Sequence, residues 1–305
     1  MSNTVLIENV TKTFGKHTAV EDLSLTVPQG SVYGFIGPNG SGKTTTLRMI
    51  MRILHPDTGT IHVLGENVNR ADNNRVGYLP EERGLYKTMK VRDVLKFYAE
   101  LKGFRDCRSA IDDWLERLQL SDWATKKVET LSKGMAQKVQ FIATVIANPE
   151  LVLLDEPFSG LDPVNADVMR EVILELREKG TTIIFSTHDM AVAEKMCDSI
   201  FMIYKGKKVL DGTLESIQDQ YGSDTVRARV EGNPNLTSLS GVAKVTDFGN
   251  WQELRLENGT DEQAILTQLA QRGRVRHFEL ARPSLHDIFV RIARPNESLE
   301  EQANA

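Results

Sequence analysis

The chain has 305 residues, 40% of them hydrophobic and 26% charged, with a formal net charge of −5. That length suits one large domain, or a large one with an appendage, of ordinary soluble composition. The acidic balance argues against tight, non-specific nucleic-acid binding, and Lys126-Lys127 and Lys205-Gly206-Lys207-Lys208 read as solvated basic faces.

The residues up to Val10 lack the basic start and apolar core of a secretory signal. No apolar run approaches the ~20 residues that cross a bilayer, so any membrane span in the working assembly is expected in another chain. Cys107 and Cys197 lie far apart without CxxC spacing; neither a disulfide nor a thiolate zinc site is expected, and a reducing cytoplasm fits.

In chain order, the first strong element is the apolar run Val32–Ile36, read as a buried strand. It leads into Gly37-Pro38-Asn39-Gly40-Ser41-Gly42-Lys43-Thr44, a full G-x-x-x-x-G-K-[ST] match, and then a helical run over 45–54 that begins at Thr45. The glycines let successive backbone N–H groups turn toward phosphates, and the helix adds its positive end. Lys43 is expected to reach the β- and γ-phosphates of a nucleoside triphosphate, and the Thr44 hydroxyl to ligate Mg²⁺. Chance would produce the four fixed positions in roughly one chain in a hundred. The strand before the motif and the helix after it make chance a poor explanation.

From about 85 to 147 the apolar residues take helical spacing: Val91, Val94, Leu95 and Tyr98 form one stripe, Ile111, Trp114, Leu115 and Leu118 another. Both read as core stripes of an inserted helical subdomain. Ser132-Lys133-Gly134-Met135 precedes a helix expected from about Ala136 to Asn148, with Ser132 as cap and the helix start as an anion site. The run 151–154 ends in Asp155 and Glu156, placed to hold Mg²⁺ through water and to orient or deprotonate an attacking water. The run 182–185 leads to Thr187-His188-Asp189, where His188 is a candidate γ-phosphate sensor or a bland loop residue.

After Gly222 the pattern changes. Val226, Ala228 and Val230 alternate with polar residues, as do Leu254 and Leu256, with a turn at Asn258-Gly259. A helix over 261–272 closed by Gly273 follows, and Ser284-Leu285-His286-Asp287 has the S-x-x-D form of a helix start. Residues 223–294 read as a small α+β domain, and 295–305 as a polar, disordered tail.

Taken together, these motifs resemble the ATP-binding cassette family over roughly residues 5–220. Phe14 resembles the aromatic that stacks on adenine. Leu131-Ser132-Lys133-Gly134-Met135 looks like the signature usually written LSGGQ, Ser159-Gly160-Leu161-Asp162 like the D-loop, and His188 like the switch histidine. The resemblance implies an α/β fold, mainly parallel with an added antiparallel β region and the helical subdomain. It implies ATP and Mg²⁺ as cofactors. It implies nucleotide-binding roles for Phe14, Gly37, Pro38, Asn39, Gly40, Ser41, Gly42, Lys43, Thr44, Thr45, Glu81, Ser132, Gly134, Asp155 and Asp162, catalytic roles for Glu156 and His188, and Thr44, Asp155 and Glu81 as metal contacts.

Two motifs depart from the family pattern. Lys133 and Met135 replace the third and fifth signature residues, and Glu81, after Gly77-Tyr78-Leu79-Pro80, stands where the family has glutamine. With Leu79-Pro80-Glu81-Glu82-Arg83-Gly84-Leu85-Tyr86 and Pro283-Ser284-Leu285-His286-Asp287-Ile288-Phe289, the chain is similar to the ATPase subunits of bacterial ABC-2-type exporters. That implies a cassette over 1–222 that pairs with a second cassette across shared ATP sites, a homodimer being favoured and a heterodimer of cassettes left open. It also implies a separately encoded transmembrane permease whose coupling helix docks around 81–87, and a place on the cytoplasmic face of the membrane. Two other classes stay open: a soluble cassette ATPase acting on ribosomes or DNA, and a non-hydrolysing nucleotide sensor.

Overall fold

The computed structural model describes residues 3–68, 73–82, 84–221, 225–257 and 259–293. Arg83, Gly222, Asn258 and the tail from Pro295 lie outside them, so the readings that fall there are not addressed. The chain forms two compact units, one ending at Leu214 and one beginning at Glu215.

The first unit opens with β1 (Asn3–Phe14), β2 (His17–Pro28), β3 (Val32–Ile36), α1 (Lys43–Ile50), β4 (Thr58–Val63), β5 (Glu66–Asn67) and β6 (Val76–Leu79). Three helices follow, α2 (Val91–Leu101), α3 (Arg108–Arg117) and α4 (Lys133–Val145). Next come β7 (Leu151–Asp155), α5 (Pro163–Glu178), β8 (Thr182–Thr187), α6 (Met190–Met196), β9 (Ser199–Tyr204) and β10 (Lys207–Gly212). A six-stranded sheet runs β10-β9-β3-β8-β7-β6, parallel except for the edge strand β10. A four-stranded antiparallel sheet runs β2-β1-β4-β5. This is the expected α/β architecture.

Why the central strands read as unbroken apolar runs is visible in their two faces. Leu151 and Leu153 of β7 pack with Tyr33, Phe35 and Ile184 against Val5, Ile7 and Ile61 of the antiparallel sheet. Val152 and Leu154 face the other way, with Ile183 and Phe185, into the helices, where Val94, Leu95, Ile111, Trp114 and Phe141 complete the core. Both stripes predicted from helical spacing are thus core. A strand buried on both faces has no position left for a polar side chain until it ends, and β7 and β8 end at the site.

Helix boundaries shift from the expected ones for local reasons. The helix after the signature starts at Lys133, earlier than Ala136, because the Ser132 hydroxyl accepts from the Met135 N–H and caps it there. α1 stops at Ile50, short of 54, where Arg52 turns into the left-handed region at φ 57°. Among the described residues no helix is long and apolar enough to cross a membrane.

In the second unit, α7 (Leu214–Gln220) is followed by β11 (Thr225–Val230), β12 (Val242–Asp247), β13 (Gln252–Leu256), α8 (Glu262–Arg272), β14 (Val275–Ala281) and α9 (Leu285–Ala293). The unit begins ahead of the composition change at Gly222 because Glu215, Gln218 and Asp219 of α7 bond to Arg282 and the Pro283 carbonyl. Its antiparallel sheet runs β12-β13-β11-β14. Val226, Ala228, Val230, Leu254 and Leu256 turn inward to Ile265 and Leu269 of α8, as the alternation predicts. Ser284 and Asp287 cap α9 reciprocally, each backbone N–H bonded to the other's side chain at 3.1 Å.

Candidate functional site

The loop after β3 is glycine-rich because neighbouring backbone leaves no room for a side chain. A Cβ on Gly37 would lie 2.2 Å from the Ile203 carbonyl oxygen, and one on Gly42 2.5 Å from that of Ala19, where φ is 112°. α1 starts at Lys43 without a side-chain cap, so its first N–H groups remain for an anion. The Lys43 ammonium is buried and donates to the carbonyls of Gly37 (2.7 Å) and Pro38 (3.2 Å). Burial holds it below the usual lysine range, against the opposing pull of Glu156, Asp155 and Glu81.

Across the loop, Asp155 ends β7. Its Oδ1 accepts from Thr44 Oγ1 (3.2 Å) and Ser186 Oγ (2.5 Å), while its buried Oδ2 has no hydrogen-bond partner among the described residues. An orphaned carboxylate oxygen beside a threonine hydroxyl fits a hard cation. No three carboxylate, imidazole or thiol groups cluster around a cation position among the described residues.

Glu156 follows in the left-handed region at φ 50°, a strained position for a non-glycine residue. The strain is held by β8: the Glu156 N–H donates to both the carbonyl and the hydroxyl of Ser186, each at 3.2 Å. Its Oε1 lies 2.9 Å from His188 Nδ1 and 4.0 Å from Lys43 Nζ. Phe14, Asn39, Gly40, Gly42, Lys43, Thr44, Thr45, Glu81, Asp155 and Glu156 all line one cleft of about 450 Å³. Phe14 is half exposed at its mouth, next to a clasp in which Asp57 accepts from Lys12 Nζ and the Thr13 N–H, both at 2.7 Å.

Ser132, Gly134 and Asp162 do not line this cleft. Ser132 is exposed at the start of α4. A Cβ on Gly134 would meet Leu161 Cδ2 at 3.4 Å and the Gly160 carbonyl oxygen at 3.5 Å, and Asp162 caps α5. These residues form a second group, against the segment that follows Glu156.

Several contributors were missed from sequence. His17 and Ala19 line the cleft beside Phe14. Ser186 was legible as the first polar residue after the apolar part of β8. Two glutamines of α4, nearly fully buried, had no such signal. Gln137 Nε2 donates to the Pro157 carbonyl (3.2 Å), and Gln140 Nε2 to those of Pro80 and Glu82 (3.3 Å each). The helix that carries Ser132 at its tip is thereby tied to the backbone after Glu156 and to both sides of Glu81.

Comparison with known proteins extends these observations over most of the chain. The family model described as ABC transporter matches residues 20–159, and that described as ATP-binding protein DrrA1-3-like, C-terminal domain, matches 212–293. A model for an AAA domain also matches 127–194. The ABC transporter ATP-binding protein YhaQ of Bacillus subtilis (strain 168) is 44% identical, over 93% of this chain and 96% of that protein. The Nod factor export ATP-binding protein I of Burkholderia lata is 34% identical, over 93% and 95%. Among solved structures, an ATP-binding subunit of an ABC transporter superposes with a TM-score of 0.68 at 29% identity, covering 72% of this chain and 93% of that one.

Proposed function

The chain belongs to the ABC transporter ATP-binding proteins, which are ATPases, and from that premise we propose that it powers a membrane exporter as one of two paired, Mg²⁺-dependent cassettes. The observation that carries this reading is the convergence of Lys43, Thr44, Asp155 and Glu156 on one cleft, with His188 bonded to the Glu156 carboxylate. The exporter assignment rests on a relative named for Nod factor export that aligns across both units of the chain.

In this reading the loop N–H groups and Lys43 bind the β- and γ-phosphates, and Phe14 stacks on the base. Thr44 and Asp155 would hold Mg²⁺, which would supply neutralisation of phosphate charge. Glu156 accepts a proton from water as its oxygen attacks the γ-phosphorus, and the bond to the β–γ bridging oxygen breaks, leaving ADP and phosphate. His188 holds the Glu156 carboxylate in place. Ser132 and Gly134, outside their own chain's cleft, serve the nucleotide of the partner cassette, which makes the working unit a dimer of this chain.

Work on a membrane needs a docking surface for a permease. Tyr86 (52% exposed), Phe97 (38%) and Leu101 (64%) supply apolar surface beside the 81–87 segment, Tyr86 packing edge-on against Phe97 at 5.4 Å. The chain is then peripheral to the cytoplasmic face. Tyr86→Asp is expected to leave ATP binding intact and to abolish co-purification with a multi-spanning membrane protein from native membranes. A parent chain found wholly soluble and partnerless in its native extract refutes the transporter reading.

Gln140 supplies a second test. Gln140→Met keeps the shape and removes the bonds to either side of Glu81. It is expected to lower kcat about three- to tenfold with KM little changed, the size of one or two weak hydrogen bonds. Because both residues act through the same segment, its effect and that of Glu81→Gln are expected to be non-additive in a double-mutant cycle of steady-state ATPase rates.

A further inference from the structure

The second unit contains a concavity of about 500 Å³ that none of the cassette residues touches, lined by Arg227, Arg229, Asn250, Trp251, Arg276 and His277. Its construction follows from strand geometry. Val226, Ala228 and Val230 point into the core, so Arg227 and Arg229 stand on the opposite face of β11. On the neighbouring strand β14, Arg229 pairs with His277 and Val230 with Val275, which makes Arg276 the extra residue of a β-bulge. The bulge breaks the alternation and brings Arg276 and His277, adjacent in sequence, to one cavity.

All the side chains with polar groups in the lining carry hydrogen-bond donors, and no carboxylate is among them. Carboxylates outside the lining pair with three of these side chains. Glu253 holds Arg227 at 3.3 Å, Glu231 holds Arg276 at 2.7 Å, and Glu279 lies 3.2 Å from His277 Nε2. Such pairing orients guanidinium groups and leaves their remaining N–H groups for a ligand. Arg229 is exposed and has no ion-pair partner among the described residues. The floor is aromatic: Trp251 stacks on Phe248 with ring centroids 4.2 Å apart and planes 11° from parallel, and the Arg227 guanidinium lies 5.1 Å from the Trp251 ring. The tight turn that carries them is closed by the Gly249 N–H on Asp247 (2.7 Å) and the Phe248 N–H on the Trp251 carbonyl (3.0 Å).

We infer that this concavity is a binding site for a small organic anion, a planar aromatic ring bearing a phosphate, sulfonate or carboxylate group, separate from the ATP cleft. The ring lies against the Arg227 guanidinium, which is itself held over Trp251, and the anionic group meets Arg229 and Arg276. A volume of about 500 Å³ is within the range of small-molecule sites.

The test is a calorimetric titration of the full chain, its ATP cleft saturated with ADP, using 1,5-naphthalenedisulfonate as the probe. Saturable binding with a dissociation constant below about 1 mM is expected, weakened about tenfold or more by Arg229→Ala and by Trp251→Ala, the loss expected of one charge-assisted contact. Inorganic sulfate, which has the charge without the ring, is expected to bind at least about tenfold more weakly. Arg229 is exposed and makes no ion pair among the described residues, so an unchanged thermal midpoint and ATPase rate certify that variant. Absence of saturable heat, an Arg229→Ala titration that superimposes on the parent's, or sulfate binding as tight as the probe's each overturns the inference.

Discussion

Glu156→Gln is expected to slow steady-state ATP hydrolysis by about 10²- to 10⁴-fold, the range of a lost general base, while the dissociation constant for ATP stays within about threefold. The two effects separate because the carboxylate faces two neighbours for different reasons. Its Oε1 is 2.9 Å from His188 Nδ1, so an amide of the same shape keeps a contact there but cannot take a proton from water. It is also 4.0 Å from Lys43 Nζ, and removing its charge makes that buried ammonium harder to keep protonated. Asp155 and Glu81 remain to oppose the shift, and bound phosphates add more negative charge than the variant removes. Equilibrium binding of a fluorescent ATP analogue, set beside single-turnover hydrolysis, reads both quantities. Turnover equal to the parent's would move the base elsewhere, with His188 the nearest alternative.

The parts of this site that were legible in sequence are those where a physical constraint acts on consecutive residues. β3, β7 and β8 are buried on both faces, so their apolar runs and abrupt polar ends mark the strands and the edge at which ligands collect. Gly37 and Gly42 are dictated by the backbone of Ile203 and Ala19, and appear as a spaced motif. The antiparallel sheet was much less legible. β1 and β2 pair with several register shifts, and Asn9 and Asp22 take φ of 48° and 47°, so period-two alternation breaks down along both strands. Gln137 and Gln140 left no trace because each bonds to a carbonyl 20 to 60 residues away, and a carbonyl has no residue identity. Reading α4 as starting at Ala136 had a similar origin. Lys133-Gly134 is a weak helix start by propensity, and only the Ser132 cap, seen in place, puts the boundary before it.

Ser132→Arg and Lys43→Ala are expected to fail in different ways and to rescue each other. Lys43→Ala removes the cation that the cleft is built around, and ATP binding is expected to fall at least about a hundredfold. Ser132 is exposed at the tip of α4 and does not line its own chain's cleft, so an arginine there leaves ATP binding by the isolated chain within about threefold. In the proposed dimer, what it is expected to block is the closing of one cassette on the nucleotide of another. In the Glu156→Gln background, where hydrolysis does not undo closure, ATP is expected to convert the parent to dimers on a sizing column and to leave Ser132→Arg monomeric. In the proposed two-fold dimer the Lys43 of one chain is expected opposite the Ser132 of the other. A mixed dimer of the two single variants therefore concentrates both lesions in one site and leaves the other intact. With random pairing and independent sites, an equal mixture regains about a quarter of the parental ATPase rate, although neither variant hydrolyses ATP alone. A cleft that works within a single chain allows no such rescue, and a Ser132→Arg chain that dimerises and hydrolyses ATP normally would exclude the shared site.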